Sequence, residues 1–270
     1  MLRRRNRFVA VVAIVSGAAL LAACGDDPDT AGDTSGDTVS DTAGDATGEV
    51  VVFAAASLTD AFTEIGDAFV AERPDADVTF SFAASSELAT QVVEGAPADV
   101  YASADLATMD RLTEAGAAAG EPVVFAANSS TIVVEPGNPL GIGSVADLAD
   151  PDLVLVTCAP EVPCGAYAAR IFDEAGVEVT PDSFEENVKA VVTKVALGEA
   201  DAGIAYETDV AVAADDVDGV VIPPELNVVA DYPIVVTAEA PNPGGARAFV
   251  DFVTGDTAGD ILESFGFTSP

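Results

Sequence analysis

Four short stretches place small or hydroxyl-bearing residues where an apolar, strand-like run hands over to a helical pattern. They are AAASLTD at 54–60 with Ser57, FAASSEL at 82–88 with Ser85, VPCGAY at 162–167 with Cys164, and ENVK at 186–189 with Val188. The first turn of a helix carries backbone N–H groups without intrahelical acceptors, at the positive end of the helix dipole. Such ends bind anions, and a serine beside them adds an O–H donor. Several of them meeting at one point would hold a dianion without arginine or lysine. Each junction taken singly has a plainer explanation: Ser57 with Asp60, for example, fits a helix N-cap. Periodicity does not decide whether the four converge.

Other chemistry is excluded by what the chain lacks. It has no histidine, which removes Ser-His-Asp and Cys-His catalysis and most transition-metal sites. No G-x-S-x-G elbow occurs, so no catalytic residue, no cation-binding site and no cofactor is expected. The balance of 46 acidic against 10 basic residues, a formal net charge of −36, excludes nucleic acid as a partner. It does not exclude a small anion. Surface charge is screened beyond about 8–10 Å, whereas oriented donors act at contact. An organic acid would call for an arginine to grip its carboxylate, and Arg73, Arg111, Arg170 and Arg247 all lie outside these stretches. An adhesive or structural surface protein would not need donor-rich helix starts.

The elements that must position these residues alternate along the chain. Residues 50–53 read as a buried strand; Leu58, Phe62, Ile65 and Phe69 then recur at helical spacing. Residues 78–82 and 100–102 are further strands, each followed by a helical pattern. Such alternation predicts an open α/β sheet with parallel strands. The register changes near Asn128, with a strand at 131–134 and then a short helix at 145–148. The pattern goes on with a strand at 153–156, helices at 167–175 and 183–197, and strands at 203–206 and 232–237. Two helices, 246–253 and 258–265, close the chain.

The N-terminus assigns the compartment. Arg3, Arg4, Arg5 and Arg7 precede an apolar run from Phe8 to Leu21, the layout of a secretory signal. Leu21, Ala22 and Ala23 before Cys24 resemble a lipobox, which makes 1–23 a lipoprotein signal peptide and Cys24 the lipidated residue. Residues 24–48 then form an acidic Gly-Asp-Thr linker with too little apolar surface to fold. An extracytoplasmic location, anchored by lipid to the outer face of the cell membrane, follows. There Cys158 and Cys164 can persist as a disulfide; two buried free thiols are the other reading.

Over 49–270 the chain resembles the periplasmic molybdate-binding proteins of ABC transporters. The resemblance is carried by VVFAAASLTDAF at 51–62, SFAASSELATQ at 81–91, GAPADVYASAD at 95–105, EVPCGAYA at 161–168, LGEADAGIAYETD at 197–209 and ESFGFT at 263–268. It implies the type II periplasmic-binding-protein fold, two hinged α/β lobes with a central ligand cleft. The division expected is 49–128 plus 232–270 for lobe I and 129–231 for lobe II. It also implies five donors to molybdate or tungstate: the hydroxyls of Ser57, Ser85 and Tyr206, and the main-chain N–H groups of Cys164 and Val188. Many relatives have alanine at the Cys164 position, a change that leaves a backbone donor intact. The implied partners are a membrane permease and, through it, an ATPase, with the binding protein a monomer. All five positions donate and none accepts. This suits a fully deprotonated oxyanion and disfavours hydrogen phosphate, unless Glu87 or Glu186 turns inward. Another oxyanion (sulfate or phosphate) or a small organic acid on the same fold is the alternative.

Overall fold

Parallel strands covered on both faces read as continuous apolar runs, and the first strand shows why. In β1 (Gly48–Ala55), Val50, Val52 and Ala54 are fully buried on one face, while Phe53 packs into a second cluster on the other. The computed structural model describes residues 48–270. The signal peptide, Cys24 and the linker up to residue 47 lie outside the described residues.

A 3-10 turn, Ala56–Leu58, leads into α1 (Thr59–Glu72), followed by β2 (Ala76–Ala83), α2 (Ser85–Val93), β3 (Val100–Ala102) and α3 (Leu106–Glu114). β4 (Val123–Val134) is the longest strand, spanning about 40 Å. After a second 3-10 turn, Val145–Ala149, come β5 (Leu155–Cys158), α4 (Pro163–Ala175), β6 (Ser183–Glu185), α5 (Val188–Ala196), β7 (Ala202–Tyr206), α6 (Glu207–Val212) and β8 (Asp218–Val221). β9 (Val229–Val236), α7 (Pro243–Val253) and α8 (Asp256–Ser264) complete the fold. Helix α1 buries Phe62, Ile65 and Phe69 as their spacing predicts; Phe62 and Phe69 meet Phe249 of α7 edge-on.

The strands run in the order β2-β1-β3-β9-β4-β7-β5-β6, with β8 also on β4. The sheet is mixed, not wholly parallel. β1 pairs in parallel with β2 and β3, and β5 with β6 and β7, but β9 and β4 run antiparallel to their neighbours. β4 changes partner midway: Ser129 faces Val229 of β9, and the next residue, Ser130, faces Tyr206 of β7. The expected strand start at 131 was late because Asn128, Ser129 and Ser130 break the apolar run. The strand passes through them with distant partners for two of their polar groups: Asn128 Nδ2 donates to Thr208 Oγ1 (2.8 Å) and the Ser130 backbone N–H to Asn227 Oδ1 (3.2 Å).

Two more expectations change. The helix expected over 183–197 is a strand followed by α5, because Asn187 Oδ1 accepts the Ala190 N–H (3.1 Å) and caps the helix there. β8 carried no clear apolar pattern because its residues are largely exposed. The architecture is otherwise the two-lobed α/β arrangement, with β4 as the strand that pairs into both halves of the sheet.

Candidate functional site

The four junctions end at the C-terminal edges of β1, β2, β5 and β6, and all four converge. Ser57, Ser85, Cys164 and Val188, together with Tyr206 at the end of β7, line a single cavity. The cavity is small, about 10 Å³, room for one compact group and not for an extended organic acid unless the walls part. Glu87 and Glu186 are both exposed and neither lines the cavity.

Each donor is held by a different local device. Ser57 lies within the 3-10 turn and does not cap α1, whose N-cap is Leu58 with no side-chain bond. Its Oγ instead lies 2.9 Å from the hydroxyl of Tyr232 on β9. Ser85 is the first residue of α2 and likewise caps nothing. Its Oγ accepts the Ala104 N–H (3.0 Å), and its carbonyl accepts the Tyr101 hydroxyl (2.9 Å). With its oxygen engaged by Ala104, the Ser85 hydroxyl can turn its proton to the cavity.

Cys164 is the second residue of α4. Pro163 before it has no N–H, and the Gly165 and Ala166 N–H groups both bond to the Val162 carbonyl. The Cys164 N–H is therefore the first-turn amide that the helix leaves over. A disulfide to Cys158, at the end of β5, closes the loop that presents it. Gly165 permits this closure: a Cβ there would lie 2.1 Å from the Ala159 carbonyl oxygen. Val188 opens α5, and Asn187 satisfies later amides of that helix, leaving the Val188 N–H uncommitted.

Tyr206 supplies the most telling atom. Its side chain is 1% exposed, yet its hydroxyl has no hydrogen-bond partner among the described residues. Leaving a buried hydroxyl unpaired costs about 1–3 kcal/mol, so an acceptor is called for at that point. Burial pushes the hydroxyl well above the usual phenol range, and the neighbouring Tyr232 and Tyr167 raise it further. It therefore stays protonated, a donor.

Charge near the cavity centres on Lys189. Lys189, next to Val188, forms an ion pair with Asp60 of α1 and thereby ties α5 to the opposite half of the sheet. Its Nζ also stands 3.7 Å from Asp209 Oδ1, too far for a hydrogen bond. Asp209 is fully enclosed, and burial pushes its carboxyl up to about 7 against the pull of Lys189. Across the cleft, the Tyr167 hydroxyl of α4 donates to the Ala104 carbonyl (3.4 Å).

Sequence reasoning assigned no role to Tyr232, Ala104, Lys189 or Asp209. Tyr232 had a faint signal, one polar-tipped aromatic in an otherwise apolar strand run. Lys189 lay inside a quoted stretch. Ala104 and Asp209 also lay inside quoted stretches, 95–105 and 197–209, but nothing local marks the role of the one or the depth of the other.

Residues 50–268 match the family of bacterial extracellular solute-binding proteins. The chain is 48% identical over 221 residues to the molybdate-binding protein ModA of Mycobacterium tuberculosis, covering 82% of this chain and 85% of that one. Among solved structures it resembles the periplasmic molybdate-binding protein of Azotobacter vinelandii at a TM-score of 0.72 and 20% identity, covering 82% of this chain and 99% of that chain. It also resembles the sulfate-binding protein SubI of Mycobacterium tuberculosis at a TM-score of 0.71 and 23% identity, covering 82% and 86%.

Proposed function

Since the chain belongs to the bacterial extracellular solute-binding proteins, we propose that it captures molybdate, or tungstate, between its two lobes and delivers it to an ABC importer. The observation that carries this reading is the set of donors around one small cavity, the buried and otherwise unpaired Tyr206 hydroxyl above all. Two serine hydroxyls, two first-turn amides and a phenol offer five protons and no acceptor. A tetrahedral dianion without protons answers all of them. The ModA relative supports the choice of molybdate.

The lobes are 49–128 plus 232–270 and 129–231. Ser57 and Ser85 belong to the first; Cys164, Val188 and Tyr206 belong to the second. An anion touching all five favours closure, because closure is what gives it the second set of donors. The residue pattern around Cys24 supports a lipid anchor, with the acidic linker holding the folded part away from the membrane. A permease and its ATPase receive the anion from the closed form.

Sulfate is the second reading, since it too is fully deprotonated and fits an all-donor cavity. Thermal unfolding of the protein with molybdate, tungstate, sulfate or phosphate decides between them. At a thousandfold excess over Kd, binding adds about 4 kcal/mol, a rise of roughly 8–16 °C for a protein of this size. A shift with molybdate and tungstate and little with the others is the expected result. A shift with sulfate alone replaces the substrate, and no shift with any oxyanion removes the reading.

A further inference from the structure

We propose that Tyr232 is a positioning residue of the anion site, which acts through Ser57 by holding that hydroxyl as a donor toward the cavity. The proposal rests on the oxyanion reading above and names a residue outside the five donors. Tyr232 is fully buried on β9, which pairs with β3 and β4, and does not line the cavity. Its hydroxyl oxygen lies 2.9 Å from Ser57 Oγ.

The surroundings give that hydrogen bond its direction. Ser57 Oγ is the hydrogen-bond partner that the geometry gives the Tyr232 hydroxyl among the described residues. The nearby Asn128 side chain is engaged elsewhere: its Oδ1 accepts the Ser129 N–H (2.9 Å), and its Nδ2 donates to Thr208 Oγ1. The acceptor left for the Tyr232 proton is Ser57 Oγ. Burial drives the Tyr232 hydroxyl far above the usual phenol range, so it keeps the proton it gives. Ser57, receiving that bond on the strand side, turns its own proton to the cavity. Donation into a hydroxyl also polarises it, which strengthens the bond it makes onward.

Ser85 is treated in the same way by the Ala104 N–H. Both serines are thus fixed as donors by a neighbour that occupies the oxygen. Ring packing keeps Tyr232 in place: its centroid is 5.4 Å from Phe267, 6.1 Å from Tyr206 and 6.4 Å from Phe125. A phenylalanine would preserve these contacts while releasing Ser57 to rotate and to accept a proton from a protonated oxyanion.

The test is a double-mutant cycle on the full-length protein, read by calorimetric titration with molybdate and with inorganic phosphate. Tyr232→Phe should weaken molybdate binding about tenfold, the scale of one hydrogen bond, and phosphate binding by less, narrowing the preference between them. In a Ser57→Ala background the same change should add less than about twofold. An equal loss in both backgrounds, or no loss with Ser57 present, overturns the proposal. If wild type binds molybdate, these outcomes judge Tyr232 alone; if it binds no oxyanion, the functional reading fails and takes this inference with it. A readout free of variants is the Tyr232 hydroxyl proton by NMR. A protected resonance that shifts on adding molybdate agrees with donation to Ser57, and rapid exchange contradicts it.

Discussion

The Ala104 N–H donates to Ser85 Oγ at 3.0 Å, joining the loop after β3 to the first turn of α2 at the edge of the cavity. Both residues are buried. One hydroxyl therefore serves the fold with its oxygen and the site with its proton. Ser85→Ala should remove the donor and also strand the Ala104 N–H. We expect a loss of about 1–3 kcal/mol in chemical unfolding, together with molybdate binding weakened by more than about tenfold. A binding loss with unaltered stability would show that water or a backbone shift replaces the acceptor.

Tyr206→Phe separates stability from binding in the opposite sense. Without an anion the Tyr206 hydroxyl is buried and unpaired, so deleting it should leave the free protein as stable or stabilise it by about 1 kcal/mol. Molybdate affinity should fall. Thermal unfolding with and without ligand reads both signs, and an unchanged ligand-induced shift would remove Tyr206 from the site.

The disulfide between Cys158 and Cys164 spans a sequence separation of 6. In the chain-entropy account a loop of that size is worth about 2–3 kcal/mol. Reduction should lower the midpoint of thermal unfolding. It should also weaken molybdate binding, because the closed loop presents the Cys164 N–H. A lower midpoint with unchanged affinity would make the bridge a local staple only.

Gly165 is confined by backbone atoms on the inner side of that loop. An added Cβ would lie 2.1 Å from the Ala159 carbonyl oxygen and 2.6 Å from that of Cys158. Gly165→Ala must push the loop away from α4, at a cost of about 1–3 kcal/mol for overpacking. Binding should weaken along with stability, as the Cys164 amide leaves its position. Full affinity in the variant, measured by titration, would show that the loop adapts.

Asp209 carries the pH prediction. Burial raises its folded carboxyl to about 7, above the unfolded value of about 3.9. Between these values the folded protein holds a proton that the unfolded chain releases, so this group's contribution to stability declines as pH rises from about 4 to about 7. Asp209→Asn should flatten that part of the stability profile and raise the unfolding midpoint at pH 8 more than at pH 4. Lys189 keeps its Asp60 partner in the variant. Parallel profiles for the two proteins would refute the assignment.

The sequence by itself determined the alternation of strands and helices and the identity of the residues that come to line the cavity. These were legible because helix starts, apolar periodicity and ordered motifs are local, written within a few neighbouring residues. Ser57, Ser85, Cys164 and Val188 all stand where the patterns placed them, at strand-to-helix junctions. Only the tertiary structure decided what each does there. Ser57 looked like a cap and is instead paired with Tyr232, 175 positions away. β4 runs straight through Asn128, Ser129 and Ser130 because backbone partners on β7 and β9, and the distant Thr208 and Asn227, hold the chain there; its antiparallel pairing makes the sheet mixed. Asp209 reads as one acidic residue among many, yet packing seals it from water and raises its carboxyl. Burial and long-range hydrogen bonds belong to the packed chain as a whole, so no window of neighbouring residues contains them.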